Sequence, residues 1–451
     1  MASRRYIPPT IGALAALMLA ACAGNKPAPD QIFLMPAPDV YEEGEIDPFI
    51  DNDPISRGLP PGILYATDRA PAAPDDRKYE NYTHERGFVL RVGRADTRLG
   101  HDDTITWEEA RRISLLKNRT SDYPLEVVNV EEFGIIAETI RPFDNVPDAE
   151  RSDAPKQRFL EEIDRRLGTS PNKDVYIYVH GYKVNFENPL LVAAELWHFL
   201  GYQGAFIAYS WPTKFSMFAY LGDLDNAINS ARNLRALVVQ IALGTDVERI
   251  HVIGYSMGTR LVARMLADLG IYASNRSEDE IRMLKLENVI LIGSDMDRAV
   301  FGGYLLDGAL RVPRALTVYQ SAIDGALGMS QKLFSRERVG QFMGDIDPDA
   351  NLDYFYEHPE FRFINVTEAD AGEVRGGHGY FRKSPWVSSD MLMTLLYNLP
   401  PEERGLVRYD NLPAWHFPPD YVDRLRRSLA EANPKFEAPP TRKPRSAGDV
   451  L

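Results

Sequence analysis

The strongest constraint on the fold is an alternation between residues 155 and 366. Short apolar runs, "DVYIYVHG", "GAFIAYSWP", "RIHVIGYS", "ENVILIGSD", "ALTVYQSA" and "EFRFINVTE", are separated by stretches with helical spacing. The helical stretches include "SDAPKQRFLEEIDRRLG", "PLLVAAELWHFLG", "LGDLDNAINSARNLRALVVQIAL" and "GTRLVARMLADLG". Strands that follow one another through helices need crossover connections, and crossovers make neighbouring strands parallel. A parallel sheet has helices on both faces, so its strands read as near-continuous apolar runs, as these do. The expected fold class is therefore α/β, with a mostly parallel central sheet flanked by helices. Upstream, "GILYATD", "GFVLRVG" and "LEVVNVEEFGII" read as strands of a small β-containing N-terminal extension. "TWEEARRISLLKNR" reads as a helix capped by Thr106.

The ends of the chain have a different character. Arg4 and Arg5 precede the apolar run "IGALAALMLAA", which leads into the single cysteine, Cys22. A basic stretch, a short apolar stretch and small residues before a cleavage point make a secretory signal peptide. The apolar run is too short for a convincing membrane span. Residues 22–62 are rich in Pro, Asp and Glu and hold no period, so they read as a disordered tether. Residues 63–400 are expected to form the main domain, and 401–451 a Pro-rich tail with one helical stretch, "YVDRLRRSLAEA". With one cysteine in the chain, the fold must rest on its core without disulfides.

The chemistry centres on "HVIGYSMGTRLVAR", which carries G-x-S-x-G at Gly254–Gly258. The serine, Ser256, falls where a predicted strand meets a predicted helix, the context in which such a turn exposes a nucleophile. A serine hydroxyl is a weak nucleophile at neutral pH and needs a base, which in turn needs an orienting acid. His378, in "EVRGGHGYF", lies beyond the sixth strand and is the candidate base; His358 and His416 fit less well. Asp324, in "YQSAIDGAL", follows the fifth strand and is the favoured acid on strand order, with Asp295 in "LIGSDMD" as the alternative. A developing oxyanion needs two backbone donors. The N–H of Met257, directly after the serine, and that of Tyr182, in "VHGYKVN", are the candidates. His180 is expected to play a structural part in that loop.

These motifs, with "YSWPT" and "TVYQSAIDGALGMS", occur in an order that resembles the α/β-hydrolase superfamily. More narrowly, they resemble a bacterial family of α/β hydrolases known only as a domain of unknown function. The resemblance covers roughly residues 60–390 and implies the α/β-hydrolase fold. The string Leu19-Ala20-Ala21-Cys22 similarly resembles a bacterial lipobox, which implies lipidation at Cys22. Ala23 after the cysteine then favours the outer membrane of the cell envelope, with the protein held to the membrane through its N-terminal lipid.

The resulting expectation is a serine hydrolase that cleaves carboxylic esters, with lipid or acylated envelope material as substrate. The alternatives are amide or thioester cleavage with the same triad, or a non-catalytic envelope lipoprotein that keeps the fold as a scaffold. No cofactor is expected. The eight histidines are scattered, which gives a metal site no support. A net charge of −14 argues against a nucleic-acid partner. About eighteen residues separate Asp297 from the next strand, too few for an inserted cap domain. Phe215, Met217, Phe218 and Tyr220 are candidates to line a substrate pocket. The sequence carries no signal for oligomeric state.

Overall fold

The computed structural model describes residues 31–44, 46–50, 52–54, 56–59, 62–100, 105–214, 220–342, 352–371 and 377–432. The described residues from Ile32 onward form one compact unit. Its described strands are β1 (Ile32–Phe33), β2 (Ile63–Pro71), β3 (Tyr82–Leu99), β4 (Pro124–Ile135), β5 (Asp174–Val179) and β6 (Ala205–Ser210). They continue with β7 (Arg249–Tyr255), β8 (Leu286–Ile292), β9 (Ala315–Gln320), β10 (Phe361–Asn365), β11 (Val407–Arg408) and β12 (Ala414–His416). All belong to one sheet in the order β1-β4-β3-β2-β6-β5-β7-β8-β9-β10-β12-β11. Every pairing from β2 through β12 is parallel. The pairs at the two ends of the sheet are antiparallel. The fold is that of an α/β hydrolase.

The strand residues divide between two cores with a period of two, as side chains on a pleated strand must. On β5, Val175, Ile177 and Val179 face one layer, built from helices Ala154–Gly168, Tyr220–Gly244 and Gly258–Ala273. Tyr176 and Tyr178 face the other, built from helices Glu187–Phe199, Pro385–Tyr397 and Tyr421–Ala432. The chain order reverses at β5: β6 lies on one side of it and β7 on the other. In open α/β sheets, ligands bind beyond the carboxyl ends of the strands at such a switch point.

Two expectations about the ends need correction. Residues 32–44 and 46–50, expected within a disordered tether, are folded onto the second layer, with Leu34, Met35, Val40, Tyr41 and Phe49 buried. The Arg426 side chain donates to the carbonyls of Asp39 and Glu42 at 3.0 and 2.8 Å. The apolar residues here are irregularly spaced among acids and prolines, so the stretch has no period, yet each fills a place in the core. Similarly, residues 401–432 are not a tail. β12 extends the parallel sheet, and Tyr421, Leu425 and Leu429 bury one stripe of the last helix. Residues 1–30, with the expected signal peptide and Cys22, and residues 433–451 lie outside the described residues. No helix among the described residues is long and apolar enough to cross a membrane.

The second layer contains an acid-sensitive residue. His198 is buried against Phe49, with ring centroids 4.6 Å apart. Its two ring nitrogens lie 2.7 Å from Ser114 Oγ and 2.7 Å from Tyr202 Oη. Burial, followed by the charge of Arg119, pushes the imidazole down to about 3. An unfolded histidine titrates near 6.5, so between these values the unfolded chain binds the extra proton. The contribution of His198 to stability is therefore full above about pH 6.5 and is lost as the pH falls toward 3. We expect the urea midpoint to drop between pH 7 and pH 4.5, and His198→Gln to make that drop shallower. An unchanged slope in the variant would contradict this assignment.

Candidate active site

β7 ends at Tyr255 and the helix Gly258–Ala273 begins three residues later. Between them Ser256 has φ +53°, a left-handed conformation that costs a non-glycine residue energy and is kept where the surroundings enforce it. Its N–H donates to the carbonyl of Ile292 at 2.8 Å, tying the turn to β8. Thr259 Oγ1 donates to the Ser256 carbonyl at 2.6 Å from the helix side. Glycine at 258 is a matter of space: a Cβ there would lie 2.3 Å from the His180 carbonyl oxygen.

The structure brings Ser256, His378 and Asp324 together. His378 Nε2 lies 2.7 Å from Ser256 Oγ, and Nδ1 lies 2.7 Å from Asp324 Oδ2. Asp324 also caps the helix Gly325–Phe334. Its other oxygen, Oδ1, accepts the N–H groups of Ala326 and Leu327, each at 3.1 Å. One carboxylate oxygen is thus held by the helix while the other accepts Nδ1–H. That fixes the tautomer whose Nε2 can accept the serine proton. The carboxylate is completely buried, whereas the histidine side chain is 20% exposed. The carboxylate is therefore screened from water, and the imidazole can be reached. Gly293, after β8, has φ +53°, and a Cβ there would lie 2.9 Å from His378 Cε1, inside the imidazole's space.

Sequence reasoning missed the residues that hold His378. Tyr255 Oη donates to the His378 carbonyl at 3.3 Å, and the two rings pack 5.2 Å apart. Tyr380 Oη accepts the Gly293 N–H at 2.8 Å and donates to the Tyr319 carbonyl at 3.1 Å. Both use an apolar ring for packing and a hydroxyl for the backbone. The available signal was their position, one immediately before the serine and the other two residues after the histidine.

The loop after β5 supplies the opposite wall. An ideal Cβ on Gly181 would lie 2.9 Å from Ser256 Cβ, so this backbone passes directly over Ser256. Tyr182 follows, half-buried, and Lys183 turns the loop with φ +64°. His180 is buried and stacked on Trp211 at 5.4 Å, and Trp211 Nε1 donates to its carbonyl at 2.7 Å. Burial, with the nearby Arg69 charge, holds its imidazole well below the usual range, so it is neutral and packs. Arg69, buried on β2, donates to the Val184 carbonyl at 3.0 Å and to Ser210 Oγ at 3.0 Å. Met257, buried, stands at the cap of the helix Gly258–Ala273.

Asp295 has a different set of partners. Its Oδ1 accepts Ser330 Oγ at 2.6 Å, and Arg260 and Arg338 approach the carboxylate at 3.7 and 3.8 Å. His358 pairs with Glu360 at 2.8 Å, and His416 lies on β12 against Tyr409. Phe215, Met217 and Phe218, and the side chain of Tyr220, lie outside the described residues. Among the described residues no group of three or more His, Cys, Asp or Glu could hold a metal ion.

Residues 156–396 match the family described as "Alpha/beta hydrolase of unknown function (DUF900)". The match spans more than half of the chain and contains Ser256, Asp324 and His378. No curated protein matches the chain.

Proposed function

The chain belongs to this α/β-hydrolase family of unknown function, and from that premise we propose that it is a serine hydrolase acting on carboxylic esters. The reading is carried by one observation, the unbroken contact from Ser256 through His378 to Asp324 at 2.7 and 2.7 Å. Ser256 Oγ attacks the ester carbonyl carbon as His378 Nε2 takes its proton. Asp324 keeps the ring oriented and stabilises the imidazolium. The Met257 and Tyr182 amides receive the oxyanion, one from the start of the helix and one from the loop over the serine. Collapse of the tetrahedral intermediate breaks the bond to the alcohol, which leaves with the proton from His378. Water, deprotonated by the same nitrogen, then releases the acid and restores Ser256.

With Cys22 as a lipidated N-terminus, the enzyme works at the bacterial envelope, on lipid or acylated envelope material. A fluorophosphonate probe tests the chemistry. We expect covalent labelling of the wild type, with the adduct mapped to Ser256 and absent from Ser256→Ala. Failure of the wild type to label would favour a scaffold without catalysis. Matched ester, thioester and amide substrates then distinguish the bond cleaved.

A further inference from the structure

His378 lies in a segment fastened to the N-terminal end of the folded body. Four residues beyond it, Arg382 donates from Nε to Glu195 Oε2 at 2.5 Å and from Nη2 to Glu195 Oε1 at 3.0 Å. Arg382 Nη2 also donates to the Phe33 carbonyl at 2.9 Å. Glu195 is completely buried in the helix Glu187–Phe199, and its Oε1 accepts the Met35 N–H at 2.6 Å. The Leu34 N–H donates to the Tyr123 carbonyl at 2.8 Å, and Arg119 donates to the carbonyls of Leu34 and Met35. The three-residue stretch Phe33–Met35 therefore has five backbone groups engaged by partners from distant parts of the chain.

A buried, bidentate ion pair brings little net stability for its desolvation cost, but it fixes geometry sharply. Here the fixed element is the single helical turn Tyr380–Lys383, which begins two residues after His378. Its inner side is already held by Tyr380 on Gly293 and Tyr319. Arg382 holds its outer side.

We infer that Glu195 and Arg382 are positioning residues for His378, and that Phe33–Met35 complete the brace which sets the imidazole against Ser256. The inference rests on His378 being the catalytic base. It makes the N-terminal stretch, which lies outside the family match and contributes no reacting group, necessary for the rate of the chemical step. Small displacements of a base cost rate far more than they cost binding.

The full chain is tested as wild type, Arg382→Gln, Arg382→Lys, Glu195→Gln and Met35→Pro. The last removes the N–H that Glu195 accepts together with the buried Met35 side chain, so its melting temperature is read beside its rate. For each, circular dichroism and thermal melting report folding, fluorophosphonate labelling reports Ser256 reactivity, and a soluble activated ester gives kcat and KM. We expect folded Arg382→Gln to lose about ten- to a hundredfold in labelling rate and in kcat, with KM little changed. Arg382→Lys should recover part of the loss, and Met35→Pro should show a smaller loss of the same kind. Should Arg382→Gln fail to fold, Glu195→Gln and Met35→Pro decide by the same readouts. Wild-type rates in the folded variants overturn the brace. Absence of labelling in the wild type would instead overturn the hydrolase reading on which the brace depends.

Discussion

Replacing Asp324 with asparagine is expected to lower kcat about ten-thousandfold while leaving the fold intact. The cap determines why. Oδ1 of Asp324 accepts two helix N–H groups, so an asparagine must put its carbonyl oxygen there and turn its amide NH2 toward His378 Nδ1. Nδ1 then has to accept, which forces the ring proton onto Nε2. A protonated Nε2 cannot take the proton of Ser256. The helix keeps its cap, because asparagine caps about as well as aspartate. Ser256→Ala should cost more, about 10⁶-fold in kcat, because it removes the nucleophile and leaves only binding and oxyanion stabilisation. Turnover of an activated ester, followed beside thermal melting, checks both. An Asp324→Asn enzyme within tenfold of wild type would show that the carboxylate does not set the tautomer.

The second large effect concerns stability. Arg404 and Asp390 form a completely buried ion pair, with Nε donating to Oδ1 at 2.7 Å and Nη2 to Oδ2 at 3.3 Å. Tyr319 Oη donates to the same carboxylate at 2.6 Å, and Arg404 Nη1 donates to the Leu399 carbonyl at 2.5 Å. Arg404→Met leaves a buried carboxylate with only a tyrosine hydroxyl against its charge, and should destabilise by about 3–5 kcal/mol. Pairing it with Asp390→Leu removes the stranded charge and should return a large share of the loss. Urea unfolding of the two single variants and the double variant checks the cycle. A single-variant loss below about 1 kcal/mol would mean that water reaches the carboxylate, as at an exposed pair.

The contrast between the site and the ends shows what a sequence carries. Ser256 is legible because the strand before it, the helix after it and both flanking glycines lie within a few residues. Asp324 and His378 are legible through chain order, since each follows a strand recognisable from its own apolar run. Asp295 competed with Asp324 because both follow a strand, and no local pattern tells which carboxylate faces the histidine. The partners of His378 were hidden for a related reason. Glu195 and Arg382 are 187 positions apart, and a contact at that separation leaves no period in either neighbourhood. β1, β11 and β12 are two or three residues long, too short for alternation to register. Their charged and proline-rich settings then suggest disorder, although the chain folds there.

Those short strands bear on how the protein behaves in company. An open sheet presents unpaired N–H and C=O groups at each margin, and a long bare margin is a template for another chain. Here the outermost strands at both margins are two residues long and run antiparallel to their neighbours. Behind them stand longer strands, among them the twelve-residue β4. A version trimmed to the expected main domain, 63–400, would lose β1, β11 and β12 together. It would present part of β4 at one margin and β10 at the other. β1 covers only Leu125 and Pro124 of β4, so trimming would change that margin little. It would bare the whole of β10, where we expect intermolecular strand pairing to increase.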